Sequence, residues 1–216
     1  MKVKMVKKIL EANDRIAAGN RALLANHKVE AVNLMSAPGA GKTTLLEKTI
    51  RALDGRVRIG VIEGDIQGTH DAEVISGLDV PVVQINTGGA CHLDANMISD
   101  MLQEMPLDEL DLLVIENVGN LVCPAEFDVG ESAKIMLLSI TEGDDKPLKY
   151  PLMFQKSEVL ILNKIDLAPY LDVDMEKIRS DAKKLNPDLK IFDLSARNGQ
   201  GMEDWCRWLE DKVKSR

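Results

Sequence analysis

An α/β fold, with a mostly parallel sheet flanked by helices in three layers, is the architecture this 216-residue sequence predicts. Three observations point to it. Short apolar runs alternate with amphipathic stretches along almost the whole chain. One glycine-rich segment joins such a run directly to such a stretch. No internal repeat or low-complexity tract interrupts the alternation.

In chain order, Val3 to about Asn26 reads as an amphipathic helix, with Val6, Ile9, Leu10, Ile16, Ala17 and Leu23 at roughly helical spacing among charged residues. Gly19 and Asn20 are a potential break in it. A helix packed on the flank of the domain is favoured over a free docking arm. The apolar runs Val29–Met35, Val57–Ile62, Val80–Ile85, Leu110–Ile115, Lys134–Ile140, Val159–Leu162 and Lys190–Leu194 read as strands. Between and after them, Thr43–Ala52, Thr69–Ser76, Leu93–Leu102, Met175–Leu185 and Gly201–Val213 read as helices. The polar stretch Thr141–Pro151, with two prolines, reads as a mobile surface loop. The division expected is a helical extension over residues 1–28 and one domain over 29–216.

Composition narrows the function. Lys and Arg number 27 against 35 Asp and Glu, a formal charge of −8, which argues against nucleic-acid and anionic-membrane partners. Aromatic residues are 3% of the chain, too few for base-stacking platforms. The three cysteines, Cys91, Cys123 and Cys206, form no disulfide framework, and no signal-peptide core or membrane span is visible, so a cytoplasmic protein is expected.

Ser36-Ala37-Pro38-Gly39-Ala40-Gly41-Lys42-Thr43, followed by Thr44, lies between a strand and a helix, the context that defines a phosphate-binding P-loop. Gly39 and Gly41 let successive N–H groups turn inward around an anion, and the following helix points its positive end at the same phosphates. Lys42 supplies charge for the β- and γ-phosphates, and the Thr43 hydroxyl can ligate Mg²⁺. Ser36 replaces the usual first glycine.

Asn163-Lys164-Ile165-Asp166 ends the apolar run VLIL. A carboxylate at Asp166 can accept from guanine N1–H and the 2-amino group together, whereas adenine would leave it unmatched. Lys164 can lie along the base, and Asn163 can tie this turn to the P-loop. Ser195-Ala196-Arg197 follows KIFDL, where GTPases present a backbone N–H to guanine O6. With the P-loop, these motifs resemble the GTPase superfamily over nearly the whole chain.

Two acidic segments reach the same rim, Glu63-Gly64-Asp65 and Glu116-Asn117-Val118-Gly119. Thr43, with Asp65 and Glu116 directly or through water, is the expected Mg²⁺ set, and the Gly119 N–H is the expected sensor of the γ-phosphate. Glu63 reads equally well as a turn or cap residue. Glu-x-x-Gly departs from the commoner Asp-x-x-Gly, and no glutamine follows in the usual water-positioning place. Slow intrinsic hydrolysis, completed by a second subunit or partner, is therefore expected.

Cys91-His92 and Cys123 offer two thiolates and an imidazole, donors suited to Zn²⁺ or Ni²⁺. Their spacing matches no zinc-finger pattern, and a free cysteine also serves as a small buried hydrophobe. Three donors leave a fourth position for water or for a second copy of the loops. His27 and His70 read as surface residues, and Cys206 as core or surface packing.

The combined motifs Ser-x-Pro-Gly-x-Gly-Lys-Thr-Thr, Glu-Gly-Asp, Gly-Gly-x-Cys-His-Leu-Asp-Ala, Glu-Asn-Val-Gly-Asn-Leu-Val-Cys-Pro and Asn-Lys-Ile-Asp resemble the HypB family of hydrogenase nickel-incorporation GTPases, from about Val29 to Ala196. The resemblance implies a P-loop fold of the signal-recognition/MinD type. It implies a GTP-promoted homodimer that binds GTP and GDP, and that works with the hydrogenase large subunit and other maturation factors. It also implies that Cys91, His92 and Cys123 are the ligands of Ni²⁺ or Zn²⁺. Asn96 stands where some relatives carry a further histidine. The N-terminal cysteine cluster and His-rich tract of some relatives are absent, so high-affinity nickel storage is not expected. A urease-type nickel GTPase, a P-loop small-molecule kinase and a metal-binding scaffold without turnover are the rival readings.

Overall fold

Continuous apolar runs four to seven residues long suit strands covered on both faces, and the computed structural model has seven of them in one parallel sheet. The strands are β1 (Glu30–Ser36), β2 (Ile59–Asp65), β3 (Val82–Asn86), β4 (Leu112–Glu116), β5 (Ala133–Ser139), β6 (Val159–Asn163) and β7 (Lys190–Asp193). Their order is β3-β2-β4-β1-β5-β6-β7, so the chain leaves β1 at the middle of the sheet, between β4 and β5. That is the switch point where doubly wound sheets take ligands, outside the carboxyl ends of the strands. The structure describes residues 2–216 except 67 and 69, without the side chains of 2–7, 70 and 71. The expected roles of Val6 on the apolar face, of Thr69 in a helix and of His70 at the surface therefore lie outside the described residues.

The helices are α1 (Lys2–Asn26), α2 (Lys42–Leu53), α3 (His70–Ser76), α4 (Ala95–Leu102), α5 (Cys123–Glu126), α6 (Lys146–Lys149), α7 (Pro151–Lys156), α8 (Met175–Leu185) and α9 (Met202–Lys214). Alternation along the strands sorts the core into two faces. Val32 and Leu34 of β1, Leu112 and Val114 of β4, and Ile135 and Leu137 of β5 pack with Leu45, Ile50, Trp205 and Leu209 of α2 and α9. On the other face, Ala31, Leu113 and Ile115 meet Leu24 of α1 and Ile98 of α4, while Met136, Leu160 and Leu162 meet Phe154 and Ile178 of α7 and α8. The three layers match the sequence-based expectation. Cys206 belongs to the core at 5% exposure, and burial raises its thiol to about 11, which leaves it inert.

Two expectations are corrected. Gly19 and Asn20 do not break α1, because Asn20 is buried and its amide donates to Ala95 O at 2.8 Å and Val129 O at 3.1 Å. Tertiary bonds of this kind outweigh a local helix preference. The segment read as a mobile loop is instead ordered. Ser139 Oγ accepts from the Thr141 amide at 3.3 Å and Glu142 Oε1 accepts from the Ser139 amide at 2.9 Å, opening a 3₁₀ turn over Ile140–Glu142 that leads to α6. Pro147 and Pro151 sit in the first turns of α6 and α7, where proline is tolerated. Among the described residues no helix is long and apolar enough to cross a membrane.

Candidate functional site

The phosphate loop turns between Ser36, the last residue of β1, and Lys42, the first of α2. Gly39 and Gly41 have φ of +74° and +102°, which only glycine adopts without strain. A Cβ on Gly41 would also stand 2.7 Å from Asn163 Nδ2. Lys42 reaches Ser36 Oγ at 3.3 Å and lies 3.9 Å from Glu116 Oε1, and Thr43 Oγ1 donates to the same oxygen at 3.2 Å. Thr44 follows Thr43 in the first turn of α2.

Glu63 and Glu116 are register partners on β2 and β4, and both are buried. Glu116, beside the Thr43 hydroxyl, and its buried neighbour Glu63 give oxygen donors of the kind a hard divalent cation takes. Glu63, which from sequence reads equally well as a turn or cap residue, is thus the buried register partner of Glu116. The Asp65 carboxylate closes its own turn, accepting from the Ile66 amide at 2.5 Å and the Gly68 amide at 3.0 Å. Gly119 packs on the P-loop, since a Cβ there would stand 3.0 Å from Pro38 Cα, N and Cγ.

The second motif closes over the first. Asn163 Nδ2 donates to Ala40 O at 2.9 Å and Lys164 Nζ to Gly39 O at 2.7 Å, so the end of β6 is tied to the P-loop. Asn163 Oδ1 also accepts from the Lys164 amide at 2.8 Å and the Ala196 amide at 3.0 Å, drawing the Ser195–Arg197 turn into the same assembly. Ser195 Oγ in turn accepts from the Asn198 amide at 3.4 Å. Asp166 Oδ1 is buried and has no partner among the described residues. A buried acceptor of this kind is costly unless a ligand donates to it, which suits the N1–H and 2-amino edge of guanine.

The metal candidates converge although Cys91 and Cys123 are 32 residues apart. The ligand atoms of Cys91, His92 and Cys123 all lie within 4.8 Å of one another, with the sulfurs 3.1 Å apart and Cys91 Sγ 3.7 Å from His92 Nδ1. Cys91 is exposed and the other two are half-buried. Burial lowers the His92 imidazole below its ordinary value, favouring the neutral ring a metal needs, and its ring packs 4.0 Å from that of Phe127. Contact with Cys91, and then burial, raise the Cys123 thiol, so a cation must displace its proton to bind. His27 stays outside this cluster, half-buried against Asp108 at 2.6 Å.

Sequence reasoning missed the residues that hold these loops. Asn13 Oδ1 accepts from the Ala95 amide at 2.9 Å and its Nδ2 donates to Asp128 O at 2.7 Å. Arg21 grips the Asp128 carboxylate through both oxygens at 2.7 Å. With Asn20, these residues make α1 a clamp across the segments that follow both cysteine loops.

Residues 30–193 match the family described as CobW/HypB/UreG, nucleotide-binding domain. The hydrogenase maturation factor HypB of Escherichia coli K12 is 51% identical over 202 residues, covering 94% of this chain and 70% of that protein. The crystal structure of HypB from Archaeoglobus fulgidus superposes with a TM-score of 0.89 at 40% identity, covering 94% of this chain and all of that one. A structure of HypB from Helicobacter pylori in complex with nickel superposes equally well, at 38% identity over 94% and 96% of the two chains. The chain therefore belongs to the HypB family of hydrogenase maturation factors, within the wider CobW/HypB/UreG nucleotide-binding group.

Proposed function

We propose that this protein is a Mg²⁺-dependent GTPase that holds Ni²⁺ or Zn²⁺ at Cys91, His92 and Cys123 and assists nickel insertion into [NiFe]-hydrogenase in the cytoplasm. One observation carries the reading. The segment that begins at Glu116 in the phosphate pocket ends at Cys123 in the metal cluster, seven residues later (123 − 116). Whatever moves Gly119 toward a γ-phosphate acts on Cys123 through a short length of chain.

In this reading Pro38 to Gly41 wrap the phosphates, Lys42 neutralises them, and Thr43 and Thr44 open α2 beneath them. Thr43 and Glu116 supply the cation's oxygens directly, and Asp65, whose carboxylate closes its own turn, contributes through water. The buried Asp166 oxygen selects guanine, with Asn163, Lys164 and the Ser195–Arg197 turn fixing the base. Hydrolysis is slow in the isolated chain, because no glutamine follows the Glu116–Gly119 segment in the usual water-positioning place.

A GTP-promoted homodimer fits the surface. Ile66, Val122, Leu148, Tyr170 and Leu171 are exposed, and all lie on segments that follow strands at the carboxyl-end rim. A second copy covering that rim would bury them and bring a fourth ligand or a water-positioning group. The helical extension expected over residues 1–28 acts with the domain over 29–216 as one unit, and the hydrogenase large subunit and other maturation factors are the partners. Asp166→Asn is expected to weaken GTP by about a hundredfold or more and shift preference toward xanthosine triphosphate, while Lys42→Ala abolishes phosphate release. GTP turnover unchanged in both variants, or preferred turnover of ATP, would sink the proposal.

A further inference from the structure

Asn117 sits at the turn out of β4, one residue past Glu116 and two before Gly119, and is 1% exposed. Its Oδ1 accepts two amides, Val118 at 3.0 Å and Leu93 at 3.1 Å. The first belongs to the segment that leads to Gly119, the second to the residue directly after His92. Because Oδ1 meets two donors, the amide orientation is fixed, and Nδ2 must face an acceptor. It donates to Asn33 Oδ1 at 3.1 Å. Asn33, with 0% exposure in the middle of β1, then turns its own Nδ2 toward Glu131 Oε1 at 3.4 Å.

The chain of bonds continues to the other cysteine loop. Glu131 pairs with Lys134 at 3.2 Å, and Lys134 Nζ donates to Pro124 O at 2.8 Å and Phe127 O at 2.6 Å. One end of this network therefore holds the backbone beside Cys91 and His92. The other holds the backbone beside Cys123. Asn117 lies between the ends and is covalently joined to the phosphate pocket. Polar groups on a sheet's buried face are expensive unless fully matched, and this polarity is consistent from one end to the other.

We propose that Asn117 is the positioning residue through which nucleotide state reaches the metal loops. This rests on the reading that nucleotide and metal are linked at all. When the Val118–Gly119 backbone shifts with the γ-phosphate, the shared oxygen of Asn117 turns, and the Leu93 amide follows or loses its acceptor. The Cys91–His92 loop then moves relative to Cys123. Coupling through the covalent Glu116–Cys123 segment alone would move one ligand. The Asn117 network moves all three.

The test uses the full chain with Mg²⁺ and either GDP or a non-hydrolysable GTP analogue. Zn²⁺ affinity is measured in each state by competition with a chromogenic chelator, and the readout is the ratio of the two affinities. In the wild type the ratio is expected to depart from one by about fivefold or more. In Asn117→Ala it is expected to fall within about twofold of one. Lys134→Met, at the network's partly exposed far end, is a second and milder variant and is expected to shrink the ratio as well. A purely structural role would weaken both affinities and leave their ratio standing, which would overturn the proposal. A wild-type ratio of one would instead remove the linkage on which it rests. A wild-type ratio that persists in Asn117→Ala and Lys134→Met would remove the role of Asn117 alone.

Discussion

The nucleotide pocket and the metal cluster lie along one rim, yet they are held by different means. The pocket stands on the ends of β1, β4 and β6, and its parts bond directly to one another, as Asn163 does to Ala40 and Thr43 to Glu116. The cluster sits on two irregular loops. Its ligands owe their positions to α1 and to the polar network behind them. A site built on strand ends is rigid because the sheet is rigid. A site hung from loops is adjustable, which suits a metal that must be passed on.

The sharpest way to separate the two is to damage the pocket alone. Gly41→Ala places a side chain at φ +102°, 2.7 Å from Asn163 Nδ2. Left-handed strain of about 1–2 kcal/mol and the displaced Asn163 bond together predict a loss of roughly a hundredfold in GTP affinity. Zn²⁺ stoichiometry should stay unchanged. Titration calorimetry measures the first and metal analysis the second. Wild-type GTP binding, or loss of metal with it, would erase the distinction drawn here.

Damage to the clamp should act in the opposite sense. Asn20→Ala removes the buried amide that donates to the carbonyls of Ala95 and Val129. That costs about 1–3 kcal/mol and lowers the melting temperature by roughly 3–8 °C. Zn²⁺ affinity should fall more than GTP affinity, because Ala95 and Val129 follow the cysteine loops and not the P-loop. An equal loss of both, or a larger loss of GTP, would show that α1 supports the whole domain indifferently.

The same contrast explains what the sequence reveals. The seven strands and the phosphate and base motifs are legible because each is a contiguous pattern with a local physical reason, and the sheet brings them together by topology. Cys91, His92 and Cys123 are legible as donor types, but nothing in their spacing shows that they meet. Asn13, Asn20, Asn33, Asn117 and Lys134 are illegible, since an isolated asparagine or lysine looks like a surface residue until its long-range partner is known. Asn20 even reads as a helix breaker, the opposite of its role. The Thr141–Pro151 stretch misleads for a related reason. Its prolines and acids look like a loop, although Ser139 and Glu142 form a capping pair across the end of an apolar strand.

That capping pair gives the smallest expected effect and extends the comparison to the rim's far side. Ser139 is the register partner of Asn163, so its turn borders the base-reading motif without belonging to it. Burial raises the Glu142 carboxyl above its ordinary value despite nearby Lys146, Lys164 and Lys42. The folded state thus holds this proton more tightly than the unfolded chain, and ionisation of Glu142 at neutral pH works against stability. The turn is kept by its hydrogen bonds instead. Ser139→Ala removes the acceptor for the Thr141 amide but leaves Glu142 on the Ser139 backbone. The expected cost is about 1 kcal/mol, read as roughly fivefold faster hydrogen exchange at Thr141 with GTP affinity little changed. If GTP affinity fell tenfold instead, the 3₁₀ turn after β5 would have to be counted as part of the nucleotide pocket, whose support would then extend beyond the strand ends.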